Sequence, residues 1–258
     1  MGRGPNPPER RGIDTMDKKI LNRIQRLQAM ANDSSSEHEA MIAARRLHSL
    51  LATHGISELD LEDSADNAMS SDEYMVDRKV GGGLWSKHIG SSIADLYFCK
   101  AITQGAGGTA HKVFIVGQKQ YRDTAVVVAR AVTLAINTEA RLSSKKDRPK
   151  SVDGWAYISS FRTAAARRVA LRCREMIDMG RRGELPDEEG EGTLPVLASM
   201  YDSLWSEADS YIRDTWSVKT QSVKSRSSSY EGSQKGDEFG KRVPLGKELG
   251  GHAPKLIK

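Results

Sequence analysis

The first clear alternation of hydrophobic and polar positions lies between residues 17 and 57. Apolar side chains recur every three or four residues in two runs, one with Ile20 and Ile24 and one with Leu47 and Leu50, which is the spacing of a helix with one buried stripe. A polar joint separates the runs. The joint is longer than the turn of a DNA-binding helix-turn-helix and contains no glycine. The pattern therefore favours an antiparallel hairpin, in which the two helices pack against each other, and disfavours a DNA-binding motif.

Further apolar patterns follow up to residue 218. The segment around Trp85 has helical spacing, and two short apolar runs flank a glycine-rich turn, which is typical of a β-hairpin. One later segment is apolar on most sides, as expected of a buried central helix. The predicted elements are a helix near Leu84–Ile93, a β-hairpin over 97–117, and helices over 121–142, 153–179 and from Pro195 onward.

Three segments lack such patterns. Residues 1–16 indicate a disordered basic leader, residues 58–80 an acidic linker, and residues 219–258 a Gly-, Ser- and Lys-rich tail. The α+β core domain then spans residues 81–218. The predicted fold class is α+β, mostly α, with an N-terminal helical hairpin, a small central β-hairpin or three-stranded sheet packed on a bundle of long helices, and a disordered basic C-terminal tail.

Composition is typical of a soluble protein that is rather polar. Of 258 residues, 38% are hydrophobic and 28% charged, and no apolar run approaches the ~20 residues that a membrane helix needs. Cys99 and Cys173 form no ligand pattern and are expected to be reduced and half-buried. These features predict a cytoplasmic protein.

The net charge of +5 is unevenly distributed. Residues 141–182 carry 12 basic and 4 acidic side chains, whereas residues 58–77 and 183–218 are strongly acidic. On the predicted helix 153–179, basic residues seven apart line up along about 21 Å, opposite an apolar stripe. A row of guanidinium groups with flexible lysines nearby suits a phosphate backbone, of DNA or RNA, although a solvated helix face or internal neutralisation by the acidic loop would give the same pattern. The candidate nucleic-acid-binding residues are Lys145, Lys146, Arg148, Lys150, Arg167, Arg174 and Arg181.

The tail contains glycines four residues apart. On a helix they would form a flat strip that a partner backbone could approach closely, and as coil the segment would be a flexible basic tail with aromatic side chains for stacking. The alternative function is thus a protein-interaction factor acting through this tail or the acidic linker. The candidate tail residues are Tyr230, Gly232, Gly236, Phe239, Gly240, Lys241 and Arg242.

Signals of enzymatic chemistry are weak. The histidines form no metal-binding helix motif, and no nucleophile elbow, phosphate-binding loop or dinucleotide fingerprint is present. We therefore expect a non-enzymatic protein without a metal or cofactor. The four tryptophans, Trp85, Trp155, Trp205 and Trp216, are interpreted as core or groove anchors in preference to a stacking platform.

The N-terminal hairpin also resembles a known family. Its pattern of apolar helix, Ser-rich joint and second helix ending in His-Gly-Ile is similar to the uncharacterised bacterial and phage family called domain of unknown function 2786. The resemblance implies a bacterial or phage origin, and the order of the downstream elements is similar to that of longer, often phage-encoded members. If a phage encodes the chain, the expected compartment is the bacterial host cytoplasm. An example of the protein-interaction alternative is then a phage protein that docks on and modulates a host enzyme. It implies no activity, substrate or catalytic residue. The matching positions include Ile20, Ile24, Leu27, Ala31, Asp33, Glu39, Ala40, Ala43, Leu47, His54, Gly55 and Ile56.

Overall fold

The computed structural model of the chain describes residues 68–74, 83–106, 110–184, 197–218, 229–243 and 245. The predicted leader and helical hairpin lie outside the described residues. The described part is α+β and mostly helical, as predicted. Its elements are β1 (Met69–Tyr74), α1 (Leu84–Leu96), β2 (Lys100–Ala106), β3 (Ala110–Gln118), α2 (Lys119–Lys146), α3 (Gly154–Arg182), α4 (Ala198–Thr215) and α5 (Tyr230–Arg242).

The sheet has three antiparallel strands in the order β1-β3-β2. The predicted hairpin is β2 and β3, in which Lys100 pairs with Val116. The third strand, β1, corrects the prediction that all of 58–80 is an acidic linker. Its Tyr74 is buried and the Tyr74 hydroxyl donates a hydrogen bond to the Ala129 carbonyl of α2, 3.2 Å away. One buried aromatic ring thus fixes an otherwise polar edge strand to the core.

The core lies between the sheet and the long helices. The predicted central helix is α2, and its Val126, Val128, Val132 and Ile136 are buried. Cys99 and Cys173 are free thiols, as expected, but they are fully buried and not half-buried. None of the helices in the described ranges combines the length and apolar composition that crossing a bilayer requires.

The basic helix predicted over 153–179 is α3. Asp153 is its N-cap, and the side chain of Asp153 accepts a hydrogen bond from the Ala156 amide at 2.8 Å. Such a cap satisfies an amide that has no partner within the helix. At the other end Gly183 has a φ of 70°, a left-handed conformation that glycine adopts without strain, so the helix ends there.

Helix α5 corrects the prediction of a disordered tail for residues 230–242. The helix lies parallel to α3, with Gly232 against the Tyr157 carbonyl, Gly236 against that of Phe161, and Gly240 against that of Ala165. A Cβ atom on Gly232 would lie only 2.5 Å from the Tyr157 oxygen, so only glycine permits this approach. The partner backbone that the predicted glycine strip approaches is therefore the chain's own α3.

Polar contacts fix both ends of α5. At the start, the Ser229 hydroxyl accepts a hydrogen bond from the Gly232 amide at 3.1 Å, and the Ser229 amide donates to the Ser160 hydroxyl at 2.9 Å. At the end, the Arg172 guanidinium donates to the Gly240 carbonyl at 2.9 Å, which satisfies a carbonyl in the last turn of the helix. These contacts explain why a segment of low hydropathy folds onto the bundle.

An ion pair links the middle of α5 to α3, and we expect it to make stability depend on acid pH. Arg168 Nε donates to Asp237 Oδ1 at 2.6 Å, and Arg168 Nη2 donates to Asp237 Oδ2 at 3.1 Å. The hydrogen bond from Arg168 lowers the pKa of Asp237 below its ordinary value of 3.8. A carboxyl whose folded-state pKa is lowered stabilises the fold fully above its unfolded pKa and loses this contribution as pH falls through the folded value.

Replacing Asp237 with asparagine should therefore lower the free energy of unfolding by about 0.5–1 kcal/mol at neutral pH. The difference between the two proteins should shrink towards zero as the pH is lowered through the range below 3.8. Urea unfolding of both proteins across a series of pH values measures it. A difference that stays constant with pH would show that the Asp237 carboxylate is not its source.

Candidate functional site

A groove with a volume of about 580 Å³ runs between α1, α3 and α4. Helix α3 forms its floor, and the three arginines predicted to form a row all line it. Residues from three other elements complete the walls. The lining residues are Ser92, Asp95, Lys100, Arg167, Ala170, Leu171, Cys173, Arg174, Ile177, Asp178, Arg181 and Trp205.

The arginine row follows from the spacing of α3. Phe161 and Val169 are buried on the opposite side of the helix, as the apolar stripe predicted. Arg167 and Arg174 are exposed, and neither has a hydrogen-bonded or ion-paired partner among the residues that the structure describes. Arg181 is half-buried and its guanidinium donates to Asp202 Oδ1 at 2.7 Å. Two of the three charges are thus available to an anion, and the third is shared with a carboxylate.

Trp205 forms the wall of the groove that α4 contributes. Lys100 Nζ lies 4.0 Å from the centroid of the Trp205 ring, and Arg181 Cζ lies 5.8 Å from it. Both distances are within the range of cation–π attraction. The Trp205 Nε1 atom is buried and has no hydrogen-bond acceptor within the described ranges. The Trp205 ring thus attracts both Lys100 and Arg181 at the groove wall, through its π face.

Two carboxylates in the lining, those of Asp95 and Asp178, reduce the positive charge of the groove. Asp95 Oδ1 lies 3.5 Å from Lys100 Nζ. Burial raises the pKa of the Asp95 carboxyl, and the nearby Lys100 opposes this rise. Four cationic side chains (Lys100, Arg167, Arg174 and Arg181) face two carboxylates (Asp95 and Asp178) in the lining, so the groove is net positive.

The thiol in the lining of the groove is not activated as a nucleophile. Cys173 lines it, but burial raises the pKa of the Cys173 thiol to about 12. A thiol with such a pKa is protonated at neutral pH, whereas the thiolate is the reactive form. In the described part of the chain, no group of three or more His, Cys, Asp or Glu side chains could hold a metal ion.

The structure does not bring the predicted basic loop into the groove. Lys145, Lys146, Arg148 and Lys150 are exposed, but they lie where α2 ends and α3 begins. Arg167 is 13 residues along α3 from Gly154, which corresponds to about 20 Å. The predicted residues therefore form two separate basic regions, one at the junction of α2 and α3, where Lys145 and Lys146 end α2, and one along α3.

The predicted tail residues are divided between the inside and the outside of the bundle. Gly232, Gly236 and Gly240 are buried against α3, and the Phe239 ring contacts the Phe161 ring with centroids 5.9 Å apart. Outside, Tyr230 is 79% exposed, Lys241 Nζ pairs with Asp237 Oδ2 at 3.1 Å, and Arg242 Nε donates to the Glu238 carbonyl at 3.3 Å. The glycine strip is therefore not free for a second protein.

Sequence reasoning did not assign Asp95 and Lys100 to the site, and it named Trp205 only as a core or groove anchor. They come from α1, β2 and α4, and no local motif connects them to the arginine row. It was also wrong about Trp155, which is 76% exposed and anchors no core.

The remaining evidence comes from comparison of the chain with known proteins. Residues 19–58 match the family model described as protein of unknown function (DUF2786). The match confirms the resemblance of the N-terminal helical-hairpin pattern to this family. The DUF2786 segment lies outside the described residues, and every lining residue of the groove follows it in the chain. No curated protein and no solved structure matches the chain.

Proposed function

We propose that this protein is a non-enzymatic accessory protein of bacterial or phage origin that binds nucleic acid through the groove on α3 and the basic loop 145–150. The observation that carries the proposal is the arginine row. Arg167, Arg174 and Arg181 line one groove, and the first two are exposed without a described partner. A row of guanidinium groups, two of which have no ion-pair partner in the described ranges, suits a ligand with regularly spaced negative charges.

The dimensions of the row fit a phosphate backbone. Fourteen residues of α3 separate Arg167 from Arg181, which corresponds to about 21 Å. One strand of B-form DNA carries a phosphate every ~3.4 Å of helix axis, so the row spans roughly six steps. Guanidinium groups bind phosphate oxygens in a bidentate manner, which adds geometric fit to charge attraction.

Among the described residues, no carboxylate forms an ion pair with Arg167 or Arg174, although Asp95 interacts electrostatically with Arg174. Arg181 is engaged with Asp202, and Arg182 with Glu184 at 2.7 Å. Both pairs lie at the C-terminal end of α3. Arg167 and Arg174 therefore supply the main attraction in the groove, and Arg181 contributes less.

Salt dependence tests the proposal. We expect the purified protein to bind labelled oligonucleotides with an affinity that falls steeply as salt rises, because bound cations release counterions from the phosphates. For a single strand, three contacts give a slope of log K against log salt of about −2, and all seven candidate cations give about −5. Fluorescence anisotropy with DNA and RNA, single- and double-stranded, measures it. An absence of binding to all four at low salt would refute the proposal.

The alternative is a protein-interaction factor that acts through the tail or the acidic linker. The packing of α5 weakens the tail version, because the glycine strip already contacts α3. A host protein that co-purifies stably after nuclease treatment would favour the alternative.

A further inference from the structure

Exposed hydrophobic side chains gather at one end of the helical bundle. Of the five large hydrophobic residues that are exposed in the described ranges, three lie there: Leu142 (54% exposed), Trp155 (76%) and Tyr230 (79%). Leu142 is near the end of α2, Trp155 is at the start of α3, and Tyr230 is at the start of α5.

Contacts between the helices show that these positions share one end. The Ser143 hydroxyl of α2 lies 2.9 Å from the Tyr157 hydroxyl of α3. Because α3 and α5 are parallel and Gly232 lies against Tyr157, the start of α5 is level with the start of α3. The basic loop 145–150 connects α2 to α3 at the same place. We call this region, with Trp155, Tyr230 and the loop cations, the aromatic–basic end.

Trp155 is exposed on a rigid support. The preceding turn is closed by a hydrogen bond from the Val152 amide to the Pro149 carbonyl at 3.0 Å. Asp153 caps the helix that begins one residue before Trp155, and the Arg148 guanidinium donates to the Val152 carbonyl. These contacts fix the backbone that carries the indole, and the exposed ring is accessible to another ring that stacks on it.

The surrounding charge is complementary to phosphate. Lys145, Lys146, Arg148 and Lys150 are all exposed, and they outnumber the exposed carboxylates at this end, which are Asp147, Asp153 and Glu231. Leu142, Lys145 and Lys146 are three and four residues apart, so they share one face of α2. Exposed aromatic rings combined with flexible cations are the combination that binds single-stranded nucleic acid, in which bases stack on the rings and cations track the backbone.

We propose that the aromatic–basic end binds unpaired nucleotides, with a base stacked on Trp155, a second aromatic contact at Tyr230, and phosphates held by Lys145, Lys146, Arg148 and Lys150. The inference rests on the proposed function and specifies the form of nucleic acid, because the interior bases of a duplex already stack on each other and cannot stack on a protein ring. Binding in the groove requires only phosphates of the ligand, whereas binding at the aromatic–basic end also requires unpaired bases that can stack on a protein ring.

The test compares Trp155→Ala and Trp155→Phe with the natural protein, on a single strand and on a blunt duplex of the same sequence. We expect Trp155→Ala to lower single-strand affinity about 5- to 100-fold, as loss of one base–aromatic stack does, and to leave duplex affinity within about twofold. Trp155→Phe keeps a ring and should retain most of the affinity. Binding of a single strand should also quench tryptophan emission in the natural protein more than in the Trp155→Phe protein.

Three results would overturn the inference. Single-strand binding by Trp155→Ala that equals that of the natural protein would remove the stacking role and leave the proposed function intact. Equal losses on single strand and duplex would mean that the indole makes a contact other than base stacking. If Trp155 emission responds to anionic phosphatidylserine vesicles and the natural protein binds no oligonucleotide, the region contacts lipid and the proposed function fails with the inference.

Discussion

Replacing Arg167, Arg174 and Arg181 together with glutamate is expected to lower nucleic-acid affinity about 100-fold or more at low salt. Each replacement removes a charge-assisted contact with a phosphate worth ~1.5–3 kcal/mol, and each new glutamate repels the phosphates. The slope of log K against log salt for a single strand should also become shallower by about 2. Fluorescence anisotropy across a salt series measures both quantities.

A matched control separates the position of the charges from their number. Arg213, Lys235 and Arg242 are exposed, lie outside the groove and have described contacts only within their own helices. Their replacement with glutamate changes the net charge by the same amount. We expect that variant to keep most of its affinity. Equal losses in both triple variants would show that overall charge, and not the groove, governs binding.

The double variant Arg167→Glu/Arg174→Glu guards against loss of folding. Arg181 contacts Asp202 and the Trp205 ring, so its replacement perturbs packing, whereas the other two arginines have no described partner. The double variant should melt at nearly the same temperature as the natural protein and still lose most of the binding. Unchanged affinity in this variant would contradict the assignment of the site to α3.

Replacing Gly236 with alanine is expected to lower the free energy of unfolding by about 2 kcal/mol. This is the opposite of the usual effect, because alanine stabilises a helix interior by ~1 kcal/mol relative to glycine. Here the added Cβ would overlap the Phe161 carbonyl oxygen. Since that oxygen belongs to the backbone of α3, the two helices must move apart and the contact between Phe161 and Phe239 weakens. Urea unfolding followed by circular dichroism measures the change.

Gly154→Ala provides the comparison within the same bundle. A Cβ on Gly154 would lie 3.7 Å from Arg148 Nε, which is an ordinary van der Waals distance. Its stability should be unchanged or slightly higher. A Gly236→Ala protein as stable as the Gly154→Ala protein would mean that α5 does not pack on α3 as closely as described.

The sequence predicts those parts of the fold in which apolar side chains do the packing. Helices α2 and α3 and the β2–β3 hairpin follow from periodic apolar residues. Helix α5 does not, because it is buried through glycines whose contacts are backbone to backbone, and such burial leaves no apolar period. Strand β1 was missed for a related reason, since a single fully buried residue, Tyr74, fixes it to the core.

The candidate site divides in the same way. The arginine row is a property of one helix, and a spacing of seven residues is enough to predict it. Lys100 and Trp205 reach the groove only because the fold brings distant elements together. The exposure of Trp155 could not be predicted from the local sequence, because tryptophan side chains are usually largely buried. A tryptophan near the start of a helix does not indicate whether that end of the helix is covered by other elements.

The separation of α3 and α5 in the chain also determines the order in which the two faces of α3 can become covered during translation. Arg168 and its partner Asp237 are 69 residues apart in the chain, and ribosomes add about 5–20 residues each second. Helix α3 therefore waits roughly 3–14 s after it is made before the helix that covers it has been translated. During that interval the backbone strip at Tyr157, Phe161 and Ala165 is open on the nascent chain, while α1, on the groove side, is already complete. The groove can thus assemble during translation, and the opposite face of α3 closes last.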